Sequence, residues 1–283
     1  MEKKILVSDY PSDEKDIKEM VKQRYNDAVS SKASGGCCGS NACCGSGDEI
    51  YGIMTEDYSQ LKGYMPDADL GFGCGLPTRY AGIKPGNTVI DLGSGAGNDC
   101  FVAAAETTES GYIIGVDFAP EMIAKAKRNA KKLGAKNIEF RQGDIENLPV
   151  DSNSADVVIS NCVLNLLPKK DKIFHEINRV LKPGGHFCVS DIVLKGELPL
   201  PLRNAVAMYA GCVAGAVQKN DYVQEILKAG FKDVKVVKEN KITLPDAILS
   251  KYLDSKALKK FRDGDSSILS VTVTGIKEVC KNG

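Results

Sequence analysis

Val89-Ile90-Asp91-Leu92-Gly93-Ser94-Gly95-Ala96-Gly97 is the stretch that decides the fold. A short apolar run ends in a carboxylate, three alternate glycines follow, and Asn98 to Glu106 is an Ala-rich segment of helical character. The pattern reads as a buried parallel strand, a tight turn and a helix N-terminus. Glycine suits the turn because chain passing close to a ligand needs unusual φ and no Cβ. Loop amides and the helix N-terminus can then hold a carboxylate or phosphate.

The spacing excludes two common uses of such a turn. A dinucleotide site wants G-x-G-x-x-G, but starting from Gly93 puts Asn98 third, and starting from Gly95 puts Cys100 third. No Lys-Ser/Thr pair follows the glycines, so the triphosphate-cradling loop is absent as well. The observed D-x-G-x-G-x-G resembles the first motif of Rossmann-like S-adenosylmethionine (SAM) methyltransferases. That resemblance implies that Asp91, Gly93, Gly95 and Gly97 pack against the methionine part of the cofactor.

Downstream, strands and helices alternate. Strand 111–117 ends in Asp117, about 20 residues past the turn, where an acid meets ribose hydroxyls in such folds. The alternative is an ordinary helix cap, since Pro120 and Glu121 follow. Helix 120–133 leads to strand 137–142 and then to Gly143-Asp144-Ile145. Asp144 resembles the acid that meets the adenine amino group in this class, with Ile145 placed to pack on the ring. Strand 155–160 ends in Asn161-Cys162-Val163-Leu164-Asn165. Amine and DNA-base methyltransferases often carry Asn/Asp-Pro-Pro-Tyr/Phe here; this chain has a thiol instead. Helix 168–181, a turn at Lys182-Pro183-Gly184-Gly185 and strand 186–193 come next. The small-residue stretch Asn204 to Val217 reads as helical, followed by a helix to Ala229, a strand near 233–238, a helix near 246–261 and a strand near 268–275. The expected fold is α/β: a Rossmann-like, doubly wound, mostly parallel sheet with right-handed crossovers and a C-terminal extension. Asp91, Gly93, Asp117, Asp144 and Cys162 all fall at or just beyond carboxyl ends of strands, where ligands bind in open α/β sheets.

Composition bounds the partners. The chain has 283 residues and is 43% hydrophobic, with Lys plus Arg equal to Asp plus Glu at 37 each. This neutral balance offers no electrostatic case for nucleic acid or a membrane surface. No apolar run approaches the roughly 20 residues needed to span a bilayer, and no signal peptide is visible. A cytoplasmic location is expected. Ten cysteines are therefore unusual, and in a reducing compartment they point to metal binding or catalysis. With only His175 and His186 in the chain, sites built on several histidines are poorly supported. His175 reads as a solvated or core histidine.

Residues 11 to 31 read as an amphipathic helix that Ser12 can cap, with Ile17, Met20, Val21, Tyr25 and Ala28 on one face. Residues 33 to 47 form a flexible loop by composition, carrying Cys37-Cys38 and Cys43-Cys44. They serve as a soft-ion or redox segment, or as incidental thiols of a linker. Cys74 lies among three glycines in Gly71-Phe72-Gly73-Cys74-Gly75-Leu76-Pro77, on a loop before the sheet. Cys100 and Cys188 read as core residues, Cys280 as incidental, and Cys212 as either an inert buried thiol or a functional one.

Four stretches together resemble the arsenite methyltransferases: Gly-Phe-Gly-Cys-Gly-Leu-Pro, Asp-Leu-Gly-Ser-Gly-Ala-Gly-Asn-Asp, Ser-Asn-Cys-Val-Leu-Asn-Leu and Tyr-Ala-Gly-Cys-Val-Ala-Gly-Ala. The N-terminal cysteine segment adds to the likeness, which spans essentially the whole chain. The resemblance implies that Cys74, Cys162 and Cys212 bind arsenic. It also implies a fourth, N-terminal cysteine that forms a disulfide during the cycle, here Cys43 or Cys44. Met122 and Asn161 are expected to join the cofactor residues. Arsenite or its thiol conjugate is the implied substrate, with thioredoxin or glutathione as reductant and mono- and dimethylated arsenic as products. Trivalent arsenic prefers thiolates, and three sulfurs leave its lone pair at the apex of a pyramid. No strong general base is needed, because arsenic bears no proton to remove. Two other readings stay open: a methyltransferase of a small organic substrate with structural cysteines, and an arsenic-binding protein that transfers nothing. The organisation expected is 1–70 for the N-terminal helix and Cys-rich segment, 71–195 for the SAM-binding core, and 196–283 for a region completing the sheet and the arsenic site.

Overall fold

The structure is a computed structural model that describes residues 14–33, 52–167, 169–205, 212–213 and 215–279. Seven strands form one sheet: β1 (Thr88–Leu92), β2 (Tyr112–Asp117), β3 (Ile138–Gln142), β4 (Ala155–Asn161), β5 (Leu181–Lys195), β6 (Phe231–Ile242) and β7 (Ser267–Lys277). Their order is β3-β2-β1-β4-β5-β7-β6. Strands β1 to β5 pair in parallel, and β7 runs antiparallel between β5 and β6. The central strands are apolar and buried on both faces, which is why they read as continuous runs rather than alternating ones. The expected doubly wound sheet is what forms.

Helices cover both faces. They are α1 (Glu14–Ala33), α2 (Pro77–Tyr80), α3 (Asn98–Thr107), α4 (Pro120–Leu133), α5 (Lys170–Val180), α6 (Leu200–Arg203), α7 (Lys219–Lys228), α8 (Asp246–Leu249) and α9 (Ser255–Asp263). On one face, Phe101, Ile123 and Ala126 of α3 and α4 pack on Val89, Ile113, Val157 and Ile159. On the other, Phe174, Ile177, Tyr222 and Ile226 of α5 and α7 pack on Ile90, Val158, Phe187 and Val189. Two rings there meet edge to face, Phe174 and Tyr222 at 5.5 Å between centroids. The sheet reverses direction of growth between β1 and β4, and in such folds the crevice beyond that point binds ligand.

Three local expectations change. Lys182 to Gly185 does not precede the strand as a turn but lies inside β5. Leu181 pairs with Ala155 and His186 with Val157, so β5 spends extra residues there as a bulge. The helix expected over 246–261 is two: α8 ends at Leu249 with Ser250 as its C-cap, and Asp254 caps α9, its carboxylate accepting from Ala257 N–H at 2.8 Å. The described part of Asn204 to Val217 is not helical, and Cys212 has φ +60°, a conformation no right-handed helix admits. Residues 206–211 and 214 of that expectation, and the Cys37 to Cys44 loop with Ser12, lie outside the described residues. His175 is solvated on α5, its Nδ1 lying 2.9 Å from Asp171 O. No helix among the described residues is long and apolar enough to cross a membrane.

Candidate active site

The cleft opens over the carboxyl ends of β1, β2 and β4. Asp91, Gly93, Ser94, Gly95, Asn98, Asp99, Asp117, Met122, Asn161 and Cys162 line it, and its volume to the open mouth is ≈ 770 Å³. A second cleft of ≈ 420 Å³ shares Gly93, Asp117 and Val163 with the first and continues it to Asp144, Ile145 and Lys18. Tyr25 and Val21 of α1 wall these clefts, so the N-terminal helix forms part of the site.

The turn after β1 has the left-handed backbone that its glycines suggest. Gly93 has φ +67°, and a Cβ there would stand 2.5 Å from Cγ2 of Val163. Gly97 differs from the expectation: it does not line the cleft. It has φ +99° at the N-cap of α3, and a Cβ would meet the rings of Phe101 and Phe140 at 2.9 Å, so its role is helix-to-sheet packing. Asp117 lies where the ribose role needs it, at the end of β2, and it is not the cap of α4, whose N-cap is Ala119 without a side-chain cap bond. Its carboxylate accepts from Gly95 N–H (2.9 Å) and from Ala119 N–H (2.8 Å) ahead of α4, while lining both clefts. Asp144 is engaged by Lys18 of α1 at 2.9 Å, and Lys18 also pairs with Glu146.

Sequence reasoning missed Tyr58 and Asp99. Asn161, at the end of β4, is the hub that joins them. Its Nδ2 donates to Tyr58 Oη (2.6 Å) and Gly75 O (2.9 Å) and lies 3.2 Å from Asp99 Oδ2. The Tyr58 hydroxyl donates to Asp99 at 2.9 Å. The Oδ1 of Asn161 accepts from Cys74 N–H at 3.0 Å, which ties the Cys74 loop to the cleft wall. The available signal was a second carboxylate, Asp99, directly after the glycine turn. Nothing local marked Tyr58, which reaches the site from 41 residues away.

Charge in the cleft is acidic and buried. Burial pushes Asp99 and Asp117 up to about 6, and pushes Asp91 well above the usual carboxylate range with the Asp99 charge adding to it. Cys100, expected as core, is buried and its thiol donates to Asp91 at 3.2 Å. Cys188 is a core thiol that donates to Pro77 O. Among the described residues, Ser94 Oγ and Asn98 Oδ1 are buried without hydrogen-bond partners. A concave site with three buried carboxyls and unpartnered polar atoms fits a ligand that carries positive charge and hydrogen-bonding groups. SAM, with a sulfonium and an ammonium, has that chemistry.

These acids make a stability prediction. Each carboxyl holds its proton more tightly in the folded chain than in the unfolded one, where 3.8 is usual. From about pH 4 to pH 7 the folded state therefore carries extra protons, and stability falls as pH rises. The ligand-free chain is expected to melt about 5–10 °C higher at pH 5 than at pH 7.5. Scanning calorimetry at the two values checks this, and a lower melting point at pH 5 contradicts the burial of these groups.

The three thiols named from sequence come together. Cys74, Cys162 and Cys212 share one apolar cluster with Ile192 and Leu166, and each is at most 1% exposed. The Cys162 thiol interacts electrostatically with those of Cys74 and Cys212, and Cys212 Sγ donates to Cys162 O at 2.9 Å. Cys162 and Cys212 both have φ +60°. A non-glycine residue held left-handed costs about 1–3 kcal/mol and persists only where its surroundings impose it, most often at functional sites. For Cys162 that surrounding includes its N–H, which donates to Ser190 O at 2.8 Å. The contacts run in a chain from Cys74 through Cys162 to Cys212. Among the described residues no group of three His, Cys, Asp or Glu side chains is preset for a metal ion. Burial pushes the Cys74 thiol up to about 11 and Cys162 well above its usual value, so both are neutral thiols at pH 7. Of the three, Cys162 lines the cleft.

Comparison with known proteins shows the family. The methyltransferase-domain family matches residues 83–231, more than half of the chain. The chain is 42% identical over 243 residues to an arsenite methyltransferase of Halobacterium salinarum, covering 82% of this chain and 61% of the relative. It is 29% identical over 250 residues to the arsenite methyltransferase of Mus musculus, covering 85% and 65%. The chain thus spans less than two thirds of the length of these curated relatives. Among solved structures, it superposes on an arsenic(III) S-adenosylmethionine methyltransferase from Chlamydomonas reinhardtii with a TM-score of 0.62 at 32% identity, covering 82% of this chain and 74% of that one. A phosphoethanolamine N-methyltransferase of Haemonchus contortus, at 19% identity and TM-score 0.56, shares the fold alone. On the methyltransferase-domain match and the similarity to the algal enzyme, the chain belongs to the arsenite methyltransferase family.

Proposed function

We propose that the chain transfers methyl groups from SAM to arsenite held by Cys74, Cys162 and Cys212. One observation carries this reading: a left-handed cysteine on the cleft wall is joined to two further buried thiols from distant parts of the chain. SAM supplies an electrophilic methyl on a sulfonium sulfur. Gly93, Gly95, Met122 and Asn161 would hold its methionine end, Asp117 its ribose, and Asp144 with Ile145 its adenine. For the last contact Lys18 must share or release Asp144.

Neutral thiols suit arsenite capture. Each thiol replaces one hydroxyl of arsenous acid, an As–S bond forms, and the thiol proton leaves with the hydroxyl as water. No pre-ionised thiolate and no net proton release are required, so high thiol pKa values do not obstruct capture at equilibrium. The three sulfurs close around arsenic by side-chain rotation from their present chain of contacts, and the lone pair faces the cleft. The As–C bond forms with that pair as the methyl's bond to the cofactor sulfur breaks, its electrons staying on sulfur. Arsenic is formally oxidised, and thiols return it to the trivalent state by giving up two electrons and forming a disulfide. Thioredoxin or glutathione then reduces the disulfide, with Cys43 or Cys44 as the fourth thiol. The five described cysteines are free, in keeping with work in the cytoplasm.

The test is product analysis with arsenite, SAM and thioredoxin or glutathione. Mono- and dimethylated arsenic are expected. Tight arsenite binding without methylated product would leave a scavenger, and methyl transfer to a quinone acceptor but not to arsenite would make the cysteines structural.

A further inference from the structure

A buried carboxylate acts on the thiols, and none of the steps above uses it. Asp191 sits in the middle of β5 with no exposed surface. Its Oδ1 accepts from Asn165 Nδ2 at 2.7 Å and from Ile192 N–H at 2.9 Å, and the Tyr222 hydroxyl lies 3.4 Å from Oδ2. Burying such a group costs free energy and is weak evidence of stabilisation.

Its neighbours on the sheet hold two of the thiol loops. Ser190, the residue before it, accepts the Cys162 N–H at 2.8 Å. Ser270, which pairs with Ile192 across β5 and β7, donates its hydroxyl to Cys74 O. Asn165, which binds Asp191, lies in the short 3-10 turn Leu164–Leu166 that follows Cys162, and its Oδ1 is buried without a partner among the described residues. The Asp191 charge acts on both Cys74 and Cys162. The facing titratable groups are Lys170, Tyr222 and these thiols. Lys170 is 7% exposed, donates to Gly215 O at 3.0 Å and faces Cys212.

The direction of charge movement gives this arrangement a use. During methyl transfer a unit of positive charge leaves the cofactor sulfur and arrives on arsenic. Asp91, Asp99 and Asp117 all line the cofactor cleft, so they favour the charge where it starts. An interaction speeds the step only where it is stronger at the transition state than before it. Asp191 does not line that cleft, and its charge acts on Cys74 and Cys162, two of the thiols proposed to carry arsenic.

Resting on the proposed arsenite reaction, we propose that Asp191 is a positioning residue whose charge, acting through the Cys74–Cys162 side of the thiol cluster, stabilises the positive charge that reaches arsenic. It touches neither arsenic nor cofactor. Its partners Asn165 and Ser190 fix the Cys162 turn at the same time. Burial pushes Asp191 up to about 7, so it is partly ionised at neutral pH; in its ionised form the charge sits in a site closed to water and needs no reorganisation during the reaction. Its adverse effect falls on the free thiols, whose ionisation it opposes, and disappears once arsenic has taken them as neutral As–S bonds.

The test is single-turnover methyl transfer to prebound arsenite in wild type and in Asp191→Asn, with the affinities for arsenite and for SAM measured separately. The asparagine keeps the Oδ1 acceptor and removes the charge. The expected result is a methyl-transfer rate about 10- to 100-fold lower, with both affinities within about threefold of wild type. An unchanged rate overturns the inference, and so does a proportionate loss of rate and both affinities, which marks a structural role. Should Asp191→Asn fail to fold because the buried Lys170 loses its nearby counter-charge, Asp191→Asn with Lys170→Met removes both buried charges and keeps the core filled. A smaller slowing is expected there, because the lysine charge near Cys212 that opposes Asp191 goes with it, and a rate equal to that of Lys170→Met alone overturns the inference. A wild type that makes no methylated arsenic defeats the reaction itself; a wild type that turns over beside an equally fast Asp191→Asn defeats this inference alone.

Discussion

Serine at Cys162 or at Cys212 is expected to reduce arsenite methylation by at least about a hundred-fold while SAM affinity stays within about threefold of wild type. The substitution keeps size and shape and exchanges a soft sulfur for a hard oxygen, so it removes the arsenic ligand and little else. Both residues hold left-handed backbone, and serine accepts that conformation no less readily than cysteine. Cys212 does not line the cofactor cleft, so its variant isolates arsenic binding most cleanly. Cys188→Ser is the control: that thiol is buried beside Pro77 O, away from the cluster, and its loss should leave the ratio of arsenite to SAM affinity unchanged. Calorimetric titration with SAM and chromatography of arsenic products together decide the matter. Unaltered turnover in either Cys162→Ser or Cys212→Ser refutes the thiol site.

Alanine at Gly93 should be as damaging by a different route. The new methyl would stand 2.5 and 2.7 Å from the two γ-carbons of Val163, closer than real contacts allow, and φ +67° strains any side chain there. Val163 follows Cys162 directly, so relieving the overlap displaces the thiol turn and the cofactor wall together. Both SAM and arsenite affinity are expected to fall by about ten-fold or more, unlike the cysteine variants, which lose only the second. The companion change Val163→Ala trims the obstructing γ-carbons. The double variant should recover part of both affinities, with a coupling of about 1–2 kcal/mol in the cycle, because the pair is in direct contact. Additive losses would show that the overlap is relaxed elsewhere and that Val163 does not transmit it.

Much of this architecture was legible because it is local. Apolar runs ending in Asp91 and Asp117, with glycines after the first, announce strands feeding a ligand-binding edge, and the structure puts them there. The cysteines stood out for their contexts, Cys74 among glycines and Cys162 where a polar motif often sits. Less was legible where geometry depends on distant chain. The Tyr58–Asp99–Asn161 network joins three segments that the sheet alone makes adjacent. Asp191 was visible as an acid inside the apolar run Val189 to Leu194, but its relation to Cys74 exists only through β7. The stretch before Val217 read as a helix because small apolar residues favour one, and tertiary constraint at Cys212 overrode that preference. Lys182-Pro183-Gly184-Gly185 has turn composition, yet pairing on either side draws it into β5 as a bulge.

The hydrogen bond from the Cys162 amide to Ser190 ties a reactive position into the sheet's own ladder. That proton should therefore exchange with deuterated solvent only when the central strands separate, on the timescale of global opening rather than loop breathing. The reactive turn carries its own isotope clock, readable without any ligand. Whatever rearrangement admits arsenic, an unhurried exchange rate at this one amide would place the motion in side chains and neighbouring loops, with the β4 end standing still.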